Sequence, residues 1–265
     1  MTEEKIFRDI AINLNANGKI SSPRGLLIKE LENFSCIFPP YSRFANFKDR
    51  KMKLNYIKKE FLWYLKGDRY DISITNHAKI WKDIIQSDGG INSNYGQYIF
   101  FGKNNQFVKV IETLTNDKDS RRASIMILSS SHLLYSTNDI PCTYGMNFRI
   151  RENKLNMSVH MRSQDAIFGF GSDIPSFSFI QEMVYCSLKE IYPELQMGNF
   201  HHSVDSFHIY EKHFEMLEKI ANGSSYQYIF CPKMYRKEEV DFLRNGDFSD
   251  IPENFEFSKW LIKNE

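Results

Sequence analysis

Between Pro141 and Phe177 the chain reads PCTYGMNFRIRENKLNMSVHMRSQDAIFGFGSDIPSF. The middle of this stretch has a period of two. Leu155, Met157, Val159 and Met161 alternate with Asn156, Ser158, His160 and Arg162, the pattern of a half-buried strand. Phe148 and Ile150 alternate with Arg149 and Arg151 on the strand before, and Glu152-Asn153-Lys154 is the turn that joins them. Such a hairpin sets Cys142 and Arg162 at the open ends of neighbouring strands. A helix is predicted next, with Pro175 near its first turn and Phe177, Ile180, Val184, Leu188 and Ile191 along one face.

Outward from this unit, helical spacing marks 3–16 (Ile6, Phe7, Ile10, Leu14), 52–66 (Leu54, Ile57, Phe61, Leu65, with Gly67 as the stop) and Gln106 to Leu114. Leu26 to Phe38 reads as one or two strands, and Ser120-Arg121-Arg122 leads into a strand over Ala123 to Leu128. Ile80-Trp81 opens a short helical piece, and Asn92 to Gly96 is a polar loop. Pro193 to Gly198 reads as a connection. Ser206 to Tyr210 leads into a last helix through Phe214, Leu217 and Ile220. The tail from Pro232 to Glu265 is mostly polar. With no repeat and no linker, the simplest reading is a single α+β domain over 1–265.

Composition narrows the function. A net charge of +1 implies no general field for nucleic acid, so a phosphate site has to be local, and no nucleic-acid partner is expected. Cys36, Cys142, Cys186 and Cys231 are scattered with no C-x-x-C pair, so neither a disulfide framework nor a metal site is expected. No stretch reads as a signal peptide or a bilayer span, which points to the cytoplasm of a bacterium or a phage-infected host. Aromatics make up 15% of the chain, so any one of them is first of all a packing residue.

Several side chains offer chemistry, each with a bland counterpart. A lone cysteine such as Cys142 is usually a small buried hydrophobe; it becomes a nucleophile when a cation such as Arg162 favours the thiolate. Arg24, Arg121, Arg122 and Arg162 match phosphate oxygens in a fork, or are surface arginines. Asp173, two residues before Pro175, reads as a helix-start acid. Glu60 sits beside the apolar face of its helix, between Tyr56 and Tyr64. His208 and Tyr210 fit a strand edge.

Together these residues resemble the thymidylate synthase superfamily, in its deoxycytidylate hydroxymethylase branch. The motifs follow in order from about Arg24 to Phe214. Lys59-Glu60-Phe61-Leu62-Trp63-Tyr64-Leu65-Lys66-Gly67-Asp68 looks like the helix of the catalytic glutamate. Ile80-Trp81 resembles the tryptophan element beside the folate, and Tyr95-Gly96 the active-site loop. Ser120-Arg121-Arg122 looks like the arginine pair that reaches a partner's nucleotide phosphate. Pro141-Cys142 matches the nucleophile, and Arg162-Ser163-x-Asp165 the phosphate arginine, its serine and the motif aspartate. His208-x-Tyr210 resembles the pair that holds the sugar hydroxyl. The resemblance implies a thymidylate synthase-like fold, a mixed or antiparallel sheet packed with helices, and a homodimer formed through a sheet face with shared active sites. It also implies 5,10-methylenetetrahydrofolate as co-substrate, near Trp81, Tyr95, Asp165 and Gly169, with Cys142, Glu60 and Asp165 as the catalytic group.

The departures carry the specificity. A synthase has histidine after the cysteine, where this chain has Thr143; glutamine before the Arg-Ser pair, where it has Met161; and asparagine where it has Asp173. Asn92-Ser93-Asn94 and Met161-Arg162-Ser163 look like the hydroxymethylase versions. The tail, Leu261 to Glu265, does not resemble the aliphatic tail that closes over folate. Cytosine presents an amino donor and a ring acceptor, and a carboxyl sharing a proton matches both. Leaving a buried polar group unpaired costs about 1–3 kcal/mol, so one such position shifts base preference by one or two orders of magnitude. The expectation is a dCMP 5-hydroxymethylase. The alternatives are a CMP 5-hydroxymethylase of an antibiotic pathway, a thymidylate synthase acting on dUMP, and an inactive nucleotide- or RNA-binding homologue.

Overall fold

The protein is described by a computed structural model covering residues 2–102, 105–134 and 137–263. Asn264 and Glu265, the end of the tail discussed above, lie outside the described residues. Helix α1 (Glu3–Asn17) is opened by Thr2, whose hydroxyl accepts from the Lys5 N–H. Strand β1 (Lys19–Ser21), a tight turn at Pro23–Gly25 and the long strand β2 (Ile28–Phe38) follow. Helix α2 (Leu54–Lys66) ends at Gly67, which takes the left-handed conformation at φ 57°. Two short helices, α3 (Ile80–Asp83) and α4 (Gly96–Ile99), precede α5 (Gln106–Asn116), strand β3 (Ser124–Met126) and α6 (Ser130–Leu134). The hairpin of β4 (Thr143–Arg151) and β5 (Lys154–Asp165) stands as its periodicity requires. It leads into α7 (Gly169–Lys189), β6 (Gln196–Tyr210) and the helices α8 (Phe214–Ala221), α9 (Lys237–Asn245) and α10 (Glu256–Ile262).

The strands form one six-stranded sheet in the order β1-β2-β6-β5-β4-β3. All neighbours are antiparallel except β5 and β6, which run parallel. A parallel pair needs a crossover, and α7 supplies it. Leu155, Met157, Val159 and Met161 are all buried, as are Phe200 and Val204 beside them. The alternation then slips by one. Gln164 and Phe207, three residues on from Met161 and Val204, are the buried ones, while Ser163 and Ser206 are half-buried. Asn33, on the neighbouring strand β2, sits at φ 52° at the same level.

Helix α7 is buried along most of its length, with even Gln181, Glu182 and Ser176 out of solvent. A helix enclosed on all sides carries apolar residues all round, and its polar ones need internal partners. Gln181 donates to the carbonyl of Leu155 at 3.0 Å, and Glu182 pairs with the buried Arg43. On the other face of the sheet, Ser35, Ile37, Tyr144, Arg151, His160 and Asp205 are exposed.

The structure corrects four expectations. Helix α7 begins at Gly169, so Pro175 lies inside it rather than in its first turn, and Asp173 is within the helix rather than at its cap. Ile191 lies beyond its end and is exposed. The presumed connection at 193–198 already contains the start of β6, which sits between two strands and is not an edge. The helix at 214–221 is not the last, because α9 and α10 dock through Val240, Leu243, Phe257 and Leu261.

Gly96 marks a tight approach of two backbones, α4 to α2. A Cβ there would lie 1.6 Å from the Tyr64 carbonyl oxygen of α2, and a backbone oxygen cannot swing aside. Gly96→Ala is therefore expected to lower stability by about 1–3 kcal/mol or more, the cost of an overpacked core site. Urea denaturation measures it; an unchanged midpoint would show that α2 and α4 can part freely.

Candidate active site

The site begins at the hairpin's open end. Cys142 precedes β4, and its carbonyl accepts the Arg162 N–H at 2.8 Å. The Arg162 guanidinium turns back onto the same loop, donating to the carbonyls of Pro141 (3.1 Å) and Ile140 (2.6 Å). Burial raises the Cys142 thiol above its ordinary range; Arg162 and Arg24 oppose that rise, and Asp173 and Asp139 add to it. The loop is pinned from behind by Asp139, which is buried and accepts from the Ser93 N–H at 2.8 Å and from the Ser93 hydroxyl. Tyr95 follows in that second loop. Its ring stacks on Tyr64 at 5.4 Å, and its hydroxyl faces Thr143 and the Cys142 backbone.

Two carboxyl groups meet beside the cysteine. Glu60 lies on the inner side of α2, buried, with its Oε1 accepting from the Tyr56 hydroxyl at 2.5 Å. Tyr56 in turn accepts from the Trp81 indole N–H at 2.9 Å. The other oxygen, Oε2, is buried and makes no hydrogen bond to a described residue. Burial chiefly, and then the neighbouring Asp173, push the Glu60 carboxyl up to about 8, with Tyr56 and Ser172 restraining it. Asp173 projects from α7. Its Oδ2 accepts from the Gln164 amide at 2.9 Å, and burial pushes its carboxyl up to about 7 against that bond. Two acids that resist ionising, next to a cysteine and an arginine, are what proton-transfer chemistry at neutral pH requires.

The remaining residues fall into place around this centre. Asp165 ends β5, and its Oδ1 accepts from the N–H groups of Ile167 and Phe168 ahead of α7. The buried Arg50 lies beside it, donating to the Ile167 carbonyl at 2.9 Å. Gly169 opens α7, with Asp165 and Asp173 both 3.7 Å from where its Cβ would stand. His208 pairs with Asp165 across β5 and β6 and packs edge-on against Tyr210 at 5.2 Å; Ser163 pairs with Ser206. Arg24 stands exposed in the turn before β2, in left-handed backbone at φ 56°. Arg121 and Arg122 are not brought to the centre. They precede β3, whose Ser124 pairs with Asn147, four residues down β4 from Thr143, and both are exposed. They also lie at the opposite sheet edge from Arg24, roughly 24 Å away at about 4.8 Å per strand. Sequence reasoning passed over Gln164, His202 and Asp139. Tyr56 is legible there as a neighbour of Glu60 at i−4 spacing, but not as its hydrogen-bond partner.

A profile of the thymidylate synthase family matches residues 36–252. The chain belongs to the thymidylate synthase family. It is 29% identical to the deoxycytidylate 5-hydroxymethyltransferase of Enterobacteria phage T6 over 227 residues, 82% of this chain and 90% of that protein. It is 29% identical to the deoxyuridylate hydroxymethyltransferase of Bacillus phage SP01, over 78% of this chain and 56% of that protein. It is 27% identical to the thymidylate synthase of Vesicomyosocius okutanii, over 77% and 75%. The protein is thus a folate-dependent one-carbon transferase acting on a pyrimidine nucleotide, with 5,10-methylenetetrahydrofolate as co-substrate. The residues fit that co-substrate. Trp81 is joined to Glu60 through the Tyr56 hydroxyl, and Asp165 keeps Oδ2 without a hydrogen bond to a described residue, as an acceptor for a ring N–H. No helix among the described residues is long and apolar enough to cross a membrane.

The raised carboxyls set a pH dependence. Both are held neutral by the fold, so the stability they leave intact at low pH is lost as the pH climbs from their unfolded values near 4 through 7 and 8. Glu60→Gln should outlast the parent at pH 9 in urea denaturation by on the order of 3 kcal/mol, with the gap closing towards pH 5. A gap of equal size at both pH values would mean that Glu60 is not a neutral acid in the folded protein.

Proposed function

We propose that the protein is a dCMP 5-hydroxymethyltransferase, a homodimer built from one domain over 1–265 that converts dCMP to 5-hydroxymethyl-dCMP. The observation that carries this reading is Asp173, a carboxyl raised to about 7 at the position where a synthase has an amide. Such a group shares a proton with the cytosine ring nitrogen while accepting from the amino group, a match uracil does not offer.

Arg162 and Arg24 hold the nucleotide phosphate, joined by the partner subunit's Arg121 and Arg122. Ser163 assists them, and His208 and Tyr210 hold the sugar hydroxyl. The Cys142 thiolate adds to C6, and the ring electrons move to C5. 5,10-Methylenetetrahydrofolate supplies an electrophilic one-carbon unit and leaves as tetrahydrofolate. C5 gives up its proton to the departing tetrahydrofolate nitrogen and carries an exocyclic methylene. Glu60, neutral at rest, first gives its proton to the opening folate bridge; water then adds to the methylene, the Glu60 carboxylate takes the water's proton, and the ring electrons expel Cys142 to restore the C5–C6 double bond. Glu60 suits this step: Tyr56 occupies Oε1, and the unpaired Oε2 is a seat for the water. Its pKa of about 8 lets it accept and return a proton near neutrality. Trp81, Tyr95, Gly169 and Asp165 orient the folate. The open sheet face is the surface on which two copies join.

Turnover of dCMP, CMP and dUMP with methylenetetrahydrofolate, followed by product mass and dihydrofolate absorbance, tests the reading. The expected result is a hydroxymethyl gain on dCMP with no dihydrofolate, and none with Cys142→Ala. Hydroxymethylated dUMP as the main product, or methylated dUMP with dihydrofolate rising in step, overturns it.

Shared sites predict complementation. Cys142→Ala and Arg122→Ala homodimers are each expected to be nearly inactive, yet mixing and refolding them should restore roughly a quarter of the parent activity, from mixed dimers with one intact site. No recovery on mixing would place Arg122 outside a shared site.

A further inference from the structure

Behind Asp173 runs a chain of buried polar groups that the reaction above does not use. The Gln164 amide nitrogen donates to Asp173 Oδ2 at 2.9 Å. The Gln164 amide oxygen lies 2.7 Å from His202 Nε2. His202 is fully buried in β6, packed among Phe170, Phe177 and Phe200, and its other nitrogen, Nδ1, has no hydrogen bond to a described residue. Gln164 faces inward only because of the slip in the β5 alternation. None of the three is needed for packing that an apolar residue would not do equally well, and a buried polar network is costly unless it is satisfied or has a use.

The donors and acceptors can be assigned from chemistry alone. A buried N–H with no acceptor costs more than a bare ring nitrogen, so the imidazole proton sits on Nε2, not Nδ1. Nε2–H then donates to the Gln164 oxygen. This fixes the amide, because its NH2 is left to face Asp173. Oδ2 of Asp173 is therefore held as an acceptor, and any proton on the carboxyl is placed on Oδ1, which makes no hydrogen bond to a described residue. An acceptor at Oδ2 and a shared proton at Oδ1 are the two functions that cytosine's amino group and ring nitrogen demand.

We propose that His202 and Gln164 are positioning residues for base selection, which set the orientation and proton placement of Asp173 so that it reads cytosine. The proposal rests on the reading of Asp173 as the base-selecting residue. It adds that the selectivity is set two residues behind the pocket wall, by the tautomer of one buried histidine. Without Nε2–H, the amide is free to flip, its oxygen faces Asp173, and the carboxyl is turned from acceptor to donor on that side.

Two measurements test it. The first is the ratio of kcat/KM for dCMP over dUMP in His202→Phe, His202→Gln, Gln164→Leu and Asp173→Asn. His202→Phe and Gln164→Leu are expected to lower the ratio about tenfold, the scale of one unpaired buried group. His202→Gln, whose amide N–H can replace Nε2–H, should keep most of it. A ratio unchanged in His202→Phe and Gln164→Leu but lost in Asp173→Asn overturns the relay and leaves the reading of Asp173 standing. A ratio unchanged in Asp173→Asn overturns both. The second needs no variant, so it survives any that fail to fold: nitrogen-15 spectra of histidine-labelled parent enzyme at neutral pH. The expected spectrum has His202 protonated on Nε2 and bare on Nδ1. The opposite tautomer, or a doubly protonated ring, overturns the proposal.

Discussion

Enclosing α7 on all sides obliges the protein to satisfy that helix's polar side chains from within, and the site inherits its architecture from the solutions. Arg43 meets Glu182 and Ser178, Gln181 reaches back to the β5 and β6 carbonyls, and Asp173 takes the Gln164 amide. Paired buried charges of this kind specify geometry more than they add stability. Because α7 is also the crossover between the parallel strands β5 and β6, its position fixes where Asp173 stands relative to Cys142 and Arg162.

The same enclosure sets the chemistry. Glu60 and Asp173 are both buried, and Asp173 adds to the reluctance of Glu60 to ionise. A synthase-like centre with an amide in place of Asp173 would carry one such acid, not two. The second acid makes the pocket more polar without giving it a fixed charge at neutral pH, a suitable lining for a reactive water. Tyr56, itself held by the Trp81 indole, directs this arrangement by engaging one oxygen of Glu60.

How much of this was legible in the sequence follows from what was wet and what was dry. The β4–β5 hairpin was plain because one of its faces is open, so polar and apolar residues alternate. Strand β6 was hidden by its three histidines, its glycine and the alternation slip near Val204. The same slip concealed Gln164, which strict alternation would have turned outward. Helices α9 and α10 were read as polar tail because each docks through only a few apolar anchors, Val240 and Leu243 in one and Phe257 and Leu261 in the other. Pro175 misled the placement of α7 because proline usually marks a helix start, whereas here the buried context holds a helix through it. The identities of Cys142, Glu60, Arg162 and Asp173 could be read from motif order; the way they are held could not.

Arg162 gives up its freedom before any nucleotide arrives. Its Nε and one Nη are already bound to the carbonyls of Pro141 and Ile140, so the side chain is stiff in the free protein. An arginine that must be frozen on binding loses up to about 2 kcal/mol of rotamer entropy; here that loss belongs to folding. The rigid guanidinium also makes the cysteine's loop and the cation a single mechanical piece. On the proposed reading of Arg162 as the phosphate arginine and Cys142 as the nucleophile, a phosphate drawn towards that cation is drawn towards a fixed point in the frame of the thiol, so the phosphate end of the substrate would act as a ruler for the distance between sulfur and ring.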